Sequence, residues 1–275
     1  MPEGPEIHRQ ADRIRNVLKG RECVYAYFYH DHLKEFETLF AGCRVETVKA
    51  RGKAIITGFE NELFMYSHNQ LYGKWMIRNA GNYPKTNRQL RAEIQTSKKS
   101  ALLYSASEIE ILDSISLKEH SYLTKLGPDI LGDLTVEQIA ERATSNLFRR
   151  RSFAALLLDQ SFLGGVGNYL RSEILFHASV HPKDRPMDLT DEKLIQFGKS
   201  VLAISHRAYV EKGITLNPEK VKELKAAGKK RRAYRHYAYG RHGQPCYRCG
   251  SKIEKLRMSG RNIFVCDECQ KVRRN

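Results

Sequence analysis

The sequence predicts an α+β, multidomain chain: an N-terminal antiparallel β-sandwich with a leading helix, then a helical unit, then a small C-terminal metal ribbon. Three observations carry this. Short runs rich in Val, Ile, Tyr and Phe recur between residues 24 and 105, separated mostly by polar or glycine-bearing turns. Past about Leu123 the apolar period lengthens from two to near 3.6. Towards the end, Cys246-x2-Cys249 and Cys266-x2-Cys269 stand sixteen residues apart.

The leading helix follows Pro2-Glu3-Gly4-Pro5-Glu6: Ile7, Ala11, Ile14 and Leu18 repeat at helical spacing up to Gly20. Pro5 suits the first turn and Glu6 the helix dipole. Strands are expected near Val24–Tyr29, Arg44–Lys49, Ala54–Phe59, Glu62–Tyr66, Lys74–Arg78, Gln89–Gln95 and Ala101–Ser105. Gly127-Pro128 marks a boundary. Helices are expected around Thr135–Ala143, Ser152–Gln160, Asn168–His177 and Thr190–Tyr209. Between the middle two, Gly164, Gly165 and Gly167 permit a tight turn, and Asn168 is placed to cap the next helix. Such a helix start can grip a phosphate, or can be an ordinary capped hairpin.

Composition narrows the function. At 275 residues and 41% hydrophobic, the chain is long and apolar enough to bury a core. Its longest apolar run, Phe153–Leu158, is far short of the ~20 residues of a membrane span. No apolar stretch near the start resembles a secretory signal, so a soluble, cytoplasmic protein without membrane contact is expected. Residues 211–275 hold net +12 of the total +16, and Lys225 to Arg241 carries seven cations and no acid. Such a block points to a polyanion partner or to a solvated tail. The paired cysteines fit a four-thiolate zinc ribbon better than two disulfides inside a cell. Cys23 and Cys43 stand alone and read as core thiols. Taken alone, these features describe a basic zinc protein that binds a polyanion.

In combination, the residues resemble one family along essentially the whole chain. Pro2-Glu3-Gly4-Pro5-Glu6, Arg51-Gly52-Lys53, the glycine turn at Gly164–Asn168 and the two Cys pairs follow the order found in the bifunctional DNA glycosylase/AP lyases of the formamidopyrimidine-DNA glycosylase and endonuclease VIII type. The resemblance implies excision of oxidised bases from duplex DNA and cleavage of the abasic strand by β,δ-elimination. Pro2, freed by removal of Met1, would be the nucleophile that forms a Schiff base. Glu3 would be the catalytic acid, Glu6 a supporting carboxylate, and Lys53 a lysine that contacts phosphate and assists. Asn168, from a helix–two-turn–helix element, and Arg261, from a hairpin between the zinc pairs, would clamp the DNA backbone. Gln70, Leu71 and Tyr72 would fill the gap left by the extruded nucleotide.

The string Asn69-Gln70-Leu71-Tyr72-Gly73 is closer to the endonuclease VIII branch, which implies oxidised pyrimidines; the formamidopyrimidine branch would imply oxidised purines. A zinc-ribbon protein that binds nucleic acid without chemistry is the alternative outside the class. The bland alternatives for single residues stay open: a helix lead-in for Pro2, dipole compensation for Glu3 and Glu6, a turn lysine for Lys53, a surface cation for Arg261, and a β-turn tucked into the sandwich for Leu71 and Tyr72. The family often has proline after the third zinc cysteine, where this chain has Asp267. The expected division is 1–125 (β-sandwich), 126–235 (helical, DNA-binding) and 236–275 (zinc finger). One structural zinc, damaged double-stranded DNA as partner and a monomeric state complete the expectation.

Overall fold

A computed structural model of the chain describes residues 2–272, in two compact units, the first ending at Lys125 and the second beginning at Leu126. The first unit runs α1 (Gly4–Leu18), β1 (Tyr25–Phe28), α2 (Glu35–Phe40), β2 (Val45–Arg51), β3 (Ala54–Phe59), β4 (Phe64–His68), β5 (Lys74–Asn79), β6 (Leu90–Gln95), β7 (Lys99–Tyr104), β8 (Glu108–Leu112), α3 (Ser114–Glu119) and α4 (Ser121–Thr124). Two four-stranded antiparallel sheets form, ordered β1-β6-β7-β5 and β2-β3-β4-β8.

Their inner faces share one core with α1, whose Ile7, Ala11, Ile14 and Leu18 are buried as the periodicity requires. Phe40, from α2, stacks on Phe59 with centroids 4.0 Å apart. Each such side chain contributes about 1.5–3 kcal/mol by leaving water. Cys23 is fully buried and Cys43 packs against the same core; burial raises both thiols, Cys23 to about 11. Strand β8 lies beyond the last expected strand, although Glu108-Ile-Glu-Ile-Leu alternates as an edge strand should.

The second unit runs α5 (Val136–Thr144), α6 (Phe153–Leu156), α7 (Asn168–Ala178), α8 (Asp191–Val210), α9 (Pro218–Ala226), α10 (Arg231–Tyr234), β9 (Glu254–Met258) and β10 (Arg261–Val265). Helix α7 is buried almost all round, so it is the central element rather than a surface helix. The helix expected over Ser152–Gln160 shrinks to the single turn α6. Asp159 accepts hydrogen bonds from the Ser161 N–H and hydroxyl, and the Gln160 carboxamide donates to the Val166 carbonyl. Side chains that satisfy the backbone in this way end a helix.

The hairpin β9–β10 is no separate body. Ile263 is buried in the same core as α7 and α8, with Leu256 and Met258 against it. Gln270 donates to the Val180 carbonyl at 2.8 Å, and Arg248 donates to the Phe176 carbonyl while lying over the Phe176 ring.

Candidate active site

In the first unit, sheet register assembles the site. Gly52 and Lys53 form the two-residue turn between Arg51 and Ala54, which are paired; Gly52 takes φ 60°, the conformation such a turn needs at its first position. Ala54 pairs with His68, and His68 pairs with Glu108. The lysine turn and the loop after β4 therefore lie at one end of the same sheet. Lys53 is buried (8% exposed), and its backbone N–H donates to the Tyr122 hydroxyl at 2.9 Å.

The loop from Asn69 to Gly73 is pinned at its base and open at its tip. Gly73 N–H donates to the Asn69 carbonyl at 2.7 Å, and a Cβ on Gly73 would sit 2.5 Å from that oxygen. The Asn69 carboxamide donates to the Gln10 side chain on α1, and Arg88 donates to the Tyr72 carbonyl. What remains in solvent is Leu71, 56% exposed, and Tyr72, 67% exposed. They are not tucked into the sandwich. Gln70 differs: its amide donates to Glu108 at 2.8 Å, its Oε1 accepts from Ser107 at 2.6 Å, and its φ is 48°. Gln70 is thus a left-handed non-glycine residue whose side chain is held at both ends of its carboxamide.

Glu3 is the N-cap of α1 and is buried (4% exposed). Glu6 reaches back to accept the Glu3 backbone N–H at 3.1 Å. The Glu6 carboxylate thus fixes the position of Glu3 as well as suiting the dipole. Pro2 is half-buried immediately before this cap. Met1, whose removal was expected to free the Pro2 amine, lies outside the described residues.

In the second unit, Asn168 is the first residue of α7 and Gly167 is the N-cap. The expected cap by Asn168 is therefore corrected by one residue. Its side chain serves tertiary contacts instead, donating to the Asn262 carbonyl at 3.0 Å and accepting from Arg171 at 2.8 Å. Arg171 is fully buried and also donates to the Ala154 carbonyl at 2.8 Å. Asn262 neighbours Arg261, which is exposed at the start of β10 after the left-handed turn Ser259-Gly260. One network therefore brings Asn168 and the Arg261 strand together.

The basic segment is more internal than its charge suggests. Arg241 is buried over the Tyr247 ring, and Arg231 and Arg235 donate to the carbonyls of Lys212 and Gly213. Lys225, Lys229, Lys230 and Arg232 stay exposed.

The Sγ atoms of Cys246, Cys249, Cys266 and Cys269 all lie within 4.8 Å of one another, with pairs at 3.9 and 3.4 Å. A tetrahedral ion with Zn–S bonds of ~2.3 Å has S–S edges of about 3.8 Å, whereas a disulfide needs ~2.05 Å. The cluster fits one structural zinc with no open position. Hydrogen bonds from Ser251 lower the Cys249 thiol to about 6, while burial pushes Cys266 up to about 11. Such a crowded set is relieved by a dication.

The contacts that His68, Arg88, Glu108, Tyr122 and Arg171 make with these residues were not legible in the sequence. Only the alternation around Glu108 gave any local signal.

Comparison with known proteins agrees along the chain. Residues 1–107 match the formamidopyrimidine-DNA glycosylase N-terminal domain, 126–219 the formamidopyrimidine-DNA glycosylase H2TH domain, and 243–272 the zinc finger found in FPG and IleRS. The chain is 42% identical over 271 residues to Endonuclease 8 of Escherichia coli strain K12/DH10B, covering 98% of this chain and 100% of that protein. It is 41% identical over 271 residues to Endonuclease 8 of Klebsiella pneumoniae strain 342, with the same coverage. Lactococcus lactis Fpg in complex with DNA containing N7-benzyl-Fapy-dG superposes with TM-score 0.80 at 18% identity, over 98% of this chain and 100% of that one. The same enzyme with DNA containing an oxidized pyrimidine gives 0.79 at 18%, with the same coverage.

Proposed function

We infer the reaction from one premise: the chain belongs to the endonuclease 8 family, on the formamidopyrimidine-DNA glycosylase fold, and is a bifunctional DNA glycosylase and AP lyase of base excision repair. Its substrate on this reading is duplex DNA carrying an oxidised pyrimidine. The three parts divide the work: 1–125 carries the chemistry, 126–235 grips the backbone, and 236–275 holds the zinc hairpin against DNA. The protein acts as a monomer in the cytoplasm.

The observation that carries the chemistry is the buried acid at the start of α1. Glu3 follows Pro2 directly, and the Glu6 carboxylate locks its backbone. With Met1 removed, the secondary amine of Pro2 attacks C1′ of the damaged nucleotide, and the bond to the base breaks. Glu3 supplies the proton that opens the sugar ring, and loss of the ring oxygen bond leaves an iminium between Pro2 and C1′. This electron sink makes the C2′ proton acidic. Its removal expels the 3′ phosphate by β-elimination, and a second elimination expels the 5′ phosphate. Lys53, at the turn beside the loop, stabilises phosphate and assists. Asn168 and Arg261 pinch the strand next to the flipped nucleotide. Leu71 and Tyr72 fill the gap, and Gln70 lies against it.

Cleavage of matched duplexes bearing one oxidised pyrimidine or one oxidised purine tests the substrate. Preferential cleavage of the pyrimidine duplex is expected; a preference for the purine duplex overturns the assignment.

A further inference from the structure

We propose that His68 is a positioning residue that holds the Gln70–Tyr72 loop in its projecting form. The proposal rests on the reading of that loop as the one that fills the gap in DNA. The Gln70 backbone N–H donates to His68 Nδ1 at 3.2 Å. This contact sits at the residue whose φ is 48°, immediately before the exposed Leu71 and Tyr72. An acceptor at that point is what keeps the chain turned, since a backbone N–H left buried without a partner destabilises the turn.

Three elements pack around the imidazole. From β8, Glu108 approaches Nδ1 at 3.6 Å and also accepts from the Gln70 amide. From α4, the Tyr122 ring stands edge-on at 5.6 Å. From the β2–β3 turn, Lys53 adds a nearby positive charge, and its own backbone N–H donates to Tyr122. His68 thereby joins the lysine turn to the loop. Burial lowers its pKa, Glu108 opposes that, and Lys53 lowers it further, which favours the neutral ring that the bond from the Gln70 N–H requires. A neutral ring that accepts at Nδ1 carries its hydrogen on Nε2.

The role depends on where the acceptor lies, and amide side chains separate the possibilities. In asparagine the carboxamide oxygen occupies roughly the place of Nδ1; in glutamine it lies near that of Nε2. Single-turnover excision from a duplex with one oxidised pyrimidine is compared with cleavage of a preformed abasic duplex, for His68→Asn, His68→Gln and Leu71→Ala. His68→Gln is expected to slow lesion excision by about tenfold, the scale of one lost hydrogen bond. Its abasic cleavage should stay within about twofold of the parent, and His68→Asn should restore excision to within about threefold. Equal behaviour of the asparagine and glutamine variants, or parallel loss on both substrates, overturns the positioning role. If Leu71→Ala also affects both substrates alike, the reading of the loop fails, and the positioning role with it. If Leu71→Ala keeps the split and His68→Gln does not, only the positioning role fails.

Discussion

Replacing Asn168 by alanine should disturb the second unit in two separable ways. Inside the protein it deletes the bond to the Asn262 carbonyl and the bond from the buried Arg171 guanidinium. A neutral hydrogen bond contributes about 0.5–1.5 kcal/mol and one to a charged group about 1.5–3, so the unit should lose about 2–4 kcal/mol. For a unit of this size that lowers the calorimetric melting transition by about 5–15 °C. Towards DNA it deletes a neutral donor, the second Nδ2 hydrogen. That should weaken binding to undamaged duplex about two- to tenfold while the slope of log affinity against log salt stays put, because no cation is removed. Calorimetry and salt-titrated binding on one preparation read both effects. A variant that melts within 1–2 °C of the parent, or whose salt slope falls by about one, refutes the reasoning.

Arg261→Ala should do the reverse, leaving the melting transition unchanged and making the salt slope shallower by about 0.9, since its guanidinium is exposed. An unchanged slope removes Arg261 from the clamp. One zinc per chain should be found by elemental analysis, and Cys249→Ser should lower both DNA affinity and the stability of the second unit, because Ile263 ties the hairpin into the core around α7. A zinc-free protein with disulfide-bonded ribbon cysteines contradicts the metal centre. His177 Nδ1 is hydrogen-bonded with the Ser200 hydroxyl at 3.0 Å, and burial, then Arg248 and Arg207, lowers its pKa to about 4. Its unfolded value is higher, so its contribution is intact above about pH 6.5 and fades as pH falls towards 4, by about 2–3 kcal/mol after discounting for partial exposure. The His177→Asn protein should show a flatter stability profile across that window; parallel profiles exclude His177 as the source.

Much of the fold was readable because its signals are local. Ile7, Ala11, Ile14 and Leu18 announce α1, and Ala54–Phe59 is a strand as read. The Cys pairs carry the metal site in their spacing. The helix over Ser152–Gln160 failed because Asp159 and Gln160 bond to Ser161 and Val166, and helical spacing says nothing of such competition. The site divides in the same way. Gly52 and Lys53 follow from a turn pattern, but the contacts that order them come from far along the chain. Tyr122 reaches Lys53, Glu108 reaches Gln70, and Arg171 reaches Asn262 only after folding. Nor does a cluster of cations reveal which are spent internally: Arg241 is one of seven in its segment, yet it is buried on Tyr247.

On the proposed mechanism the amine of Pro2 attacks the sugar. Borohydride reduction in the presence of lesion-bearing duplex tests it most directly, comparing protein that begins at Pro2 with protein carrying one extra residue before it. The iminium is reduced to a stable covalent complex, so protein beginning at Pro2 should be trapped on DNA and should cut the strand. Protein with the blocked proline should bind the same DNA but yield neither complex nor cleavage. Equal trapping of the blocked protein would rule out Pro2, because the nucleophile would then be another group.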